Sequence, residues 1–343
     1  MKDIHIRKVG YAGRITLQRP DALNAMTYEM CTQIDAVLRD WQEDDDVKCV
    51  VIDALGERAF CAGGDIADLY ATGMAGDYSY GQKFWAEEYR TNALIAAYPK
   101  PYVALMQGFT MGGGVGISCH GSHRIVGESS QIAMPECGIG LVPDVGGSYI
   151  LARAPGCLGS YLGLTAERMS AADAIYAGFA DKFIPEANWS TLTSALEGSG
   201  DVSVIDDFVV EAPHSTLQEQ EVSLNKLFNT TNLAEIVRRL TQSGDGFAEK
   251  TLKALLRNSP LSMACALVIL DRLRRSKGDL TSALTMEYRY TARSMEHGDF
   301  LEGIRAAIID KDRMPKWKHD ILSVSRSTVE QMCAPLGALE LSF

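Results

Sequence analysis

The chain has 343 residues, of which 46% are hydrophobic and 22% are charged, a composition typical of soluble globular proteins with either one large domain or a core plus an appendage. Its formal net charge of −11 argues against a nucleic-acid partner, so an anionic ligand would need a local basic patch. No apolar run approaches the length of a membrane span, and the scattered cysteines form no Cys-x-x-Cys pair, so we expect neither a membrane partner nor a zinc site.

The N-terminal residues lack the features of a targeting segment. Met1-Lys2-Asp3-Ile4-His5-Ile6 begins directly in an alternating, strand-like pattern, without the apolar stretch of a signal peptide or the basic character of a transit peptide. The cysteine usage suits free and mostly buried thiols in a reducing compartment. The sequence therefore predicts a cytoplasmic protein.

Short apolar runs alternate with helical patterns in the first half of the chain. Residues 3–18 predict two strands that turn at Tyr11-Ala12-Gly13, and apolar residues at helical spacing predict an amphipathic helix over 27–43. Further strands are predicted at 48–53, 101–106, 123–126 and 131–134. This alternation, with glycine-rich connections, predicts an α/β fold.

From about residue 213 onward the apolar pattern is helical only. The stretch 186–212 contains Gly198-Ser199-Gly200-Asp201 and is the best candidate for a boundary. We therefore predict a core over residues 1–190 and a helical region over 191–343.

Two glycine-rich segments follow predicted strands. Taken alone, residues 60–66 favour a simple strand-to-helix turn with Asp65 near the helix N-terminus. The run Gly112 to Gly116 follows a strand that we expect to end near Gly108. It satisfies neither the dinucleotide motif, because Ile117 replaces the last glycine, nor the phosphate-loop motif.

A serine hydrolase is a minor alternative for the second segment. Gly116-Ile117-Ser118-Cys119-His120 lacks the second glycine of a nucleophile elbow, because His120 takes its place. His120 and His123 lie close by in sequence, but histidines at the end of a helix are more often structural.

Glu136 and Asp144 are the candidate carboxylates for chemistry. Each could equally cap a helix or face solvent, and Asp144 precedes an apparent helix near Tyr149. Their neighbours are mostly apolar, however, and an apolar environment favours a carboxyl group that holds a proton, which suits acid–base catalysis.

Together these segments resemble the crotonase (enoyl-CoA hydratase/isomerase) superfamily. Residues 19–26 resemble its N-terminal acyl-CoA segment, and Ala62-Gly63-Gly64-Asp65 and Gln107 through Gly114 resemble its two oxyanion-hole turns. Residues 171–185 resemble the element that closes the core. The resemblance implies an α/β fold of the crotonase type, a spiral of ββα units with a helical C-terminal region that covers the active site.

Within the superfamily, the chain is most similar to the 3-hydroxyisobutyryl-CoA hydrolases. Gly116 stands where the hydratases carry a catalytic glutamate, and Glu88 matches a substrate-contacting glutamate of the hydrolases. Residues 298–312 resemble the hydrolases' C-terminal extension, which Pro315-Lys316-Trp317 continues. The resemblance implies a short-chain 3-hydroxyacyl-CoA thioesterase that acts in valine degradation.

The resemblance also implies roles for individual residues. The backbone N–H groups of Gly64 and Gly113 would bind the thioester oxygen, and Glu136 would attack the acyl carbon or activate water. Asp144 would bind the substrate 3-hydroxyl or orient water, and Glu88 would hydrogen-bond the substrate or the carboxylates. The sequence does not decide between a nucleophilic and a basic Glu136.

Coenzyme A binding is assigned to two groups of residues. The resemblance places five residues along the adenine and pantetheine path: Leu23, Ala25, Ala62, Asp65 and Ile66. The basic cluster Lys311, Arg313, Lys316 and Lys318 is a candidate for the CoA phosphates, with Arg19 as a second candidate, although a solvated helix end explains each residue equally well. We expect no cofactor, because coenzyme A is part of the substrate, and the sequence leaves homo-oligomerisation open.

Two other functions stay open at this point. An enoyl-CoA isomerase or hydratase of the same superfamily would use Glu136 to move a proton and would leave the thioester intact. A non-catalytic acyl-CoA-binding protein would not need the full set of carboxylates and glycines.

Overall fold

The computed structural model describes residues 3–343, so Met1 and Lys2 of the strand-like N-terminal pattern lie outside the described residues. The strands are β1 (Ile4–Val9), β2 (Ala12–Leu17), β3 (Cys49–Ala54), β4 (Ala59–Cys61), β5 (Tyr102–Met106), β6 (Phe109–Met111), β7 (His123–Val126), β8 (Gln131–Ala133) and β9 (Lys182–Phe183). The helices are α1 (Tyr28–Gln42), α2 (Ala67–Met74), α3 (Ser79–Ala96), α4 (Gly113–Ser118), α5 (Gly147–Arg153), α6 (Leu158–Thr165), α7 (Ala171–Ala177), α8 (Trp189–Ser199), α9 (Thr216–Glu219), α10 (Glu221–Phe228), α11 (Leu233–Ser243), α12 (Gly246–Leu255), α13 (Pro260–Ser276), α14 (Leu280–Ser294), α15 (Phe300–Ile304) and α16 (Arg326–Met332).

The chain divides into two compact units, each built from several segments. Unit 1 contains the residues up to Asp65, Glu87–Ala133 and Arg168–Gln218, and unit 2 contains Ile66–Ala86, Met134–Glu167 and Glu219–Phe343. This division differs from the single cut near residue 190 that we predicted. The difference arises because α8 packs on β2 within unit 1, whereas α5 and α6 pack on α13 within unit 2.

All strands lie in unit 1 and form two sheets. The larger sheet has the order β1-β2-β3-β5-β7-β9 and is parallel except for the antiparallel β1–β2 hairpin. The smaller sheet is parallel, with the order β4-β6-β8. Successive strands from β3 to β8 alternate between the two sheets, which is the arrangement expected of repeated ββα units. The predicted α/β fold is confirmed.

The core of unit 1 lies between the larger sheet and α8. Its buried members are Ala12, Cys49, Val51, Val103, Leu105, Ile125, Ile184, Leu192, Leu196 and Ile205. Val50 and Ile52 alternate with Val51 along β3 and are also fully buried. Strand β3 is therefore covered on both faces, which explains its unbroken apolar sequence.

Unit 2 is built around helix α13, which packs against five helices: α5, α6, α11, α14 and α16. Most of its side chains from Pro260 to Leu273 are buried, as expected of a central helix. Within the described residues, no single helix has the length and apolar composition needed to cross a membrane, and only the bent pair α12 and α13, 108° apart, meets both criteria jointly.

The structure confirms one local prediction and shifts two others by a few residues. The predicted helix over 27–43 is confirmed as α1, which begins after Thr27 because the Thr27 hydroxyl accepts a hydrogen bond from the Met30 N–H. The first hairpin turns at Gly10-Tyr11, before the predicted position, because Gly10 takes the positive φ of 54° that the turn requires. The strand that we expected to end near Gly108 ends at Met106, and a separate strand, β6, follows it.

Candidate active site

The two glycine turns meet because the strands before them are neighbours. Strands β4 and β6 pair in parallel, so the turns at their carboxyl ends lie side by side. Gly63 has φ 116° and Gly112 has φ 49° with ψ −119°, conformations that residues with side chains rarely adopt. A Cβ atom on Gly113 would lie 3.5 Å from the Gly64 nitrogen. The structure therefore brings together Gly64 and Gly113, the two residues predicted to form the oxyanion hole.

Glu88 lies at the same place in unit 1. It belongs to α3, its side chain is buried, and its Oε1 atom would lie 2.9 Å from a Cβ on Gly113. Any side chain at position 113 would thus press on this carboxylate as well as on the space beside the Gly64 N–H group. The structure therefore places Glu88 beside the glycine turns, where a substrate bound to them would lie within its reach.

Four of the predicted CoA-lining residues are linked through Arg19 and its segment. The Ala62 N–H donates to the Leu23 carbonyl at 3.0 Å, and Arg19 Nη1 donates to the Ala25 carbonyl at 2.6 Å. Arg19 Nη2 also lies 3.0 Å from Asp65 Oδ2, and its Nε lies 3.4 Å from Asp3. The Arg19 charge is therefore shared with two carboxylates, which makes it a weaker candidate for the CoA phosphates. Ile66, the fifth predicted residue, begins unit 2.

The serine-hydrolase alternative does not fit the geometry of α4. The Ser118 side chain is fully buried, and its hydroxyl donates to the Gly114 carbonyl at 2.6 Å. A nucleophilic serine has to reach a substrate, whereas this hydroxyl bonds to its own helix. His123 forms its hydrogen bond with Ser122 instead.

Unit 2 carries the two candidate carboxylates. Glu136 begins a short 3-10 helix, Glu136–Ile139, which ends at Gly140 with φ 80°. The Tyr290 hydroxyl of α14 donates to the Gly140 carbonyl at 3.1 Å, and a Cβ at Gly140 would lie 2.5 Å from the backbone of Asp299. The Ser259 N–H before α13 donates to the Cys137 carbonyl at 2.8 Å. Helices of the C-terminal region thus hold the segment that carries Glu136.

Asp144 lies in a tight turn a few residues later. Its carbonyl accepts a hydrogen bond from the Gly147 N–H at 2.6 Å, and Val145 and Gly146 between them both have positive φ, 51° and 79°. This is the pattern of a type I′ turn. The Asp144 and Glu136 side chains are 5% and 4% exposed, so both carboxylates occupy the buried surroundings that the sequence predicted.

A third carboxylate, which the sequence did not single out, binds this turn: Glu287 on α14, which is fully buried. Glu287 Oε2 accepts from the Gly146 N–H at 2.8 Å, and Oε1 accepts from the Ser148 N–H at 3.1 Å and from the Ser148 hydroxyl. A signal was present, because Glu287 follows the apolar Ala283 and Leu284 at helical spacing and so lies on the inward face of its helix.

Burial raises the pKa of Glu287 to about 8, although the hydrogen bonds from Ser148 and Gly146 oppose this shift; the nearby Asp144 charge adds to it. Glu287 therefore holds a proton at neutral pH. A protonated carboxyl group can donate to the Ser148 hydroxyl oxygen and still accept from both N–H groups, so the geometry accommodates this form.

The basic cluster Lys311, Arg313, Lys316 and Lys318 also lies in unit 2 and is largely exposed. The neighbouring acidic residues are occupied by another cation, because Arg305 pairs with Glu302, Asp310 and Asp312 at 2.6–2.8 Å. Within residues 3–343, the four basic side chains of the cluster form no ion pair. The cluster thus presents four exposed basic side chains on an acidic protein, as a polyphosphate site requires, and Asp312 lies within electrostatic reach of Lys316 among them.

Comparisons with known proteins give one consistent family. A model of the enoyl-CoA hydratase/isomerase family matches residues 12–333. A protein named 3-hydroxyisobutyryl-CoA hydrolase, mitochondrial, from Danio rerio is 40% identical over 99% of this chain and 91% of its own length. The protein of the same name from Homo sapiens is 37% identical over 100% of this chain and 91% of its own length. These names place those two proteins in mitochondria and lend no support to the cytoplasmic location predicted for this chain.

Solved structures resemble the whole chain as well. A structure described as an enoyl-CoA hydratase from Rhodobacter sphaeroides is 56% identical, with a TM-score of 0.97 and coverage of 100% of both chains. A structure described as a carnitinyl-CoA dehydratase from Mycobacterium thermoresistibile is 37% identical, with a TM-score of 0.95, and covers 100% of this chain and 99% of its own.

The raised pKa of Glu287 predicts a pH-dependent stability. Between its ordinary value of 4.5 and about 8, the folded chain keeps a proton that the unfolded chain loses. The free energy of unfolding should therefore fall as pH rises through this window, by at most about 1.4 kcal/mol per pH unit from this group. Glu287→Gln removes this dependence, so its destabilisation relative to wild type should be larger at pH 5 than at pH 8 in urea unfolding.

Glu235→Gln provides the matched control for this measurement. Hydrogen bonds from Arg238 and Arg239 lower the pKa of the partly exposed Glu235 to about 2, so its contribution should not change between pH 5 and pH 8. If the Glu287→Gln and Glu235→Gln curves both ran parallel to wild type, Glu287 would not hold its proton in this range.

Proposed function

The chain belongs to the enoyl-CoA hydratase/isomerase family, and we propose that it is a thioesterase that hydrolyses 3-hydroxyisobutyryl-CoA to 3-hydroxyisobutyrate and coenzyme A. The observation that carries this proposal is the likeness, over nearly the whole chain, to proteins named 3-hydroxyisobutyryl-CoA hydrolase. The likeness includes the helical C-terminal region as well as the sheets of unit 1.

The glycine turns of unit 1 supply electrostatic stabilisation. The thioester oxygen accepts hydrogen bonds from the N–H groups of Gly64 and Gly113, and these bonds strengthen as negative charge develops on that oxygen. One such donor contributes about 3–4 kcal/mol to the transition state, because the donors are already oriented before the reaction. The approach of Gly113 to the Gly64 nitrogen supports this assignment.

Glu136 supplies the reactive carboxylate. It either adds to the acyl carbon, giving a mixed anhydride that water then opens, or removes a proton from the water molecule that attacks. In both routes the carbon–sulfur bond breaks, and coenzyme A leaves as a thiolate that takes up a proton. Asp144 accepts a hydrogen bond from the substrate 3-hydroxyl, and Glu88 hydrogen-bonds the substrate beside the glycine turns.

Coenzyme A is held by two kinds of contact. Leu23, Ala25, Ala62, Asp65 and Ile66 contact the adenine and pantetheine, and Lys311 with its basic neighbours contacts the phosphates. The exposure of these basic side chains and their lack of ion pairs within residues 3–343 support the second contact.

The rival function is hydration or dehydration, the activity in the descriptions of the two solved relatives. Those reactions leave the thioester intact. Addition of water by the hydratases of this superfamily uses two glutamates, and this chain has Gly116 at the position of one of them. A single Glu136 does not easily supply both proton transfers, so hydrolysis fits the residues better.

The product of the reaction tests the proposal directly. Purified protein mixed with 3-hydroxyisobutyryl-CoA should release free thiol and 3-hydroxyisobutyrate in equal amounts, measured with a thiol reagent and by mass spectrometry. Crotonyl-CoA should keep its conjugated double bond, followed by ultraviolet absorbance. Glu136→Gln, which keeps the side-chain size, is the control and should release almost no thiol. Loss of the double bond without thiol release would establish the rival function instead.

Asp144 should determine selectivity for the 3-hydroxyl group. In Asp144→Asn, kcat/KM for 3-hydroxyisobutyryl-CoA relative to isobutyryl-CoA should fall by roughly 30-fold, because a site built to bind a hydroxyl loses about 2 kcal/mol of discrimination when its acceptor is altered. Asp201→Asn is the matched control and should leave this ratio unchanged. Asp201 is exposed, lies far in sequence from every predicted site residue, and accepts a hydrogen bond from the Ser203 N–H. An unchanged ratio in Asp144→Asn would exclude Asp144 as the hydroxyl-binding residue.

Gly113→Ala should disable the oxyanion hole. The added Cβ would lie 2.9 Å from Glu88 Oε1 and 3.5 Å from the Gly64 nitrogen, so it displaces the thioester oxygen. We expect kcat to fall by about 100-fold or more. Gly198→Ala in α8 is the control, because its Cβ would meet no atom within 4 Å. If Gly113→Ala kept the wild-type kcat, the N–H groups of Gly64 and Gly113 would not stabilise the transition state.

A further inference from the structure

The turn that carries Asp144 is held in a conformation that its sequence does not favour. Val145 is a β-branched residue with φ 51°, a left-handed conformation that is rare for such residues because the branched side chain crowds the backbone. The side chain is nevertheless buried, with 1% exposed. Strained backbone of this kind persists only where surrounding contacts impose it, and it clusters at functional sites.

Glu287 makes the contacts that impose this conformation. Its two carboxyl oxygens bind the N–H groups of Gly146, which follows Val145 and caps α5, and of Ser148 in the first turn of that helix. The Ser148 hydroxyl binds the same carboxyl group. Without Glu287, two buried N–H groups would lose their partners, which chains avoid by changing their backbone conformation.

The same side chain lies within electrostatic reach of Asp144, whose charge disfavours the ionised form of Glu287. A neutral Glu287 adds no second buried negative charge to the turn, still accepts from the N–H groups of Gly146 and Ser148, and donates its own proton to the Ser148 hydroxyl oxygen. This position therefore requires a side chain whose two terminal atoms each accept a backbone N–H bond and which can also hold a proton. A carboxyl group meets both requirements, and an amide does not.

We propose that Glu287 is a positioning residue for the thioesterase reaction: it clamps the strained turn Asp144–Gly147 and thereby aims the Asp144 carboxylate at the 3-hydroxyl group of the substrate. This inference rests on the proposed function for the role of Asp144, whereas the clamp itself is independent of it. Glu287 contacts no substrate in this proposal and acts only through Asp144.

The test compares Glu287→Gln, Val145→Gly, the double variant and wild type. An amide can accept from only one of the two N–H groups, so in Glu287→Gln amide hydrogen exchange within residues 144–148 should quicken by about tenfold or more. The preference for 3-hydroxyisobutyryl-CoA over isobutyryl-CoA, as a ratio of kcat/KM, should fall by about tenfold. Glycine adopts the left-handed conformation without strain, so the double variant should recover a large part of the preference.

Ser294→Ala controls for general damage to α14. Ser294 is buried on the same helix, and its hydroxyl donates to the Thr291 carbonyl at 2.7 Å. This variant should lose stability without a change in exchange at 144–148 or in selectivity. If Glu287→Gln fails to fold, Ser148→Ala, alone and with Val145→Gly, replaces it, since it removes one of the three hydrogen bonds between Glu287 and the turn.

The outcomes separate the inference from the function on which it rests. Unchanged exchange at residues 144–148 in Glu287→Gln would overturn the clamp, whatever the activity. Faster exchange with an unchanged substrate preference, or with no recovery in the double variant, would overturn the positioning role. If wild type released no thiol from either substrate, the proposed function would fail, and the exchange measurements would still decide the clamp.

Discussion

Two backbone N–H groups can bind one oxygen atom only where two turns of the chain approach closely with no side chain between them. In unit 1 this approach follows from the parallel pairing of β4 with β6, which ends both strands at the same edge. Gly63, Gly64, Gly112 and Gly113 leave that edge free of side chains, and Glu88 from α3 borders it. The alternation of strands between two sheets makes β4 and β6 neighbours, so the topology and the proposed chemistry depend on the same pairing.

Unit 2 meets a different requirement, which is to hold carboxylates in buried loops. The helices achieve this with carboxyl groups of their own. Glu287 on α14 binds Gly146 and Ser148, while Asp299, just before α15, accepts hydrogen bonds from the Ser259 hydroxyl at 2.7 Å and the Lys318 N–H at 3.0 Å. Each of these acids satisfies several donors at once, as a buried carboxyl group must. The helical C-terminal region thus shapes segments 136–148 of unit 2.

The sequence revealed those parts of the structure that local patterns encode. Apolar spacing located α1 to within a residue, and motif resemblance singled out Gly64 and Gly113, which the fold brings together, and Glu136 and Asp144, which it buries. Strand β6 was not predicted because its three residues, between two glycines, are too few to show a periodic pattern. The role of Glu287 was not predicted because its partners, Gly146 and Ser148, lie far away in the sequence. Contacts between such distant residues depend on how the helices pack, which local patterns do not show. The ion pair between Arg19 and Asp65 could not be predicted for the same reason, because the two residues meet only in the folded chain.

The eight cysteines give the molecule a property that its folded structure conceals. All are free, and all except Cys157 are buried, so the native chain offers almost no accessible sulfur. Unfolding exposes every thiol at once, and in air the exposed thiols oxidise and cross-link. Under such conditions unfolding becomes irreversible, and the lifetime of the native chain is governed by the height of its unfolding barrier. We therefore expect unfolding to be more readily reversible in a reducing buffer than in an oxidising one.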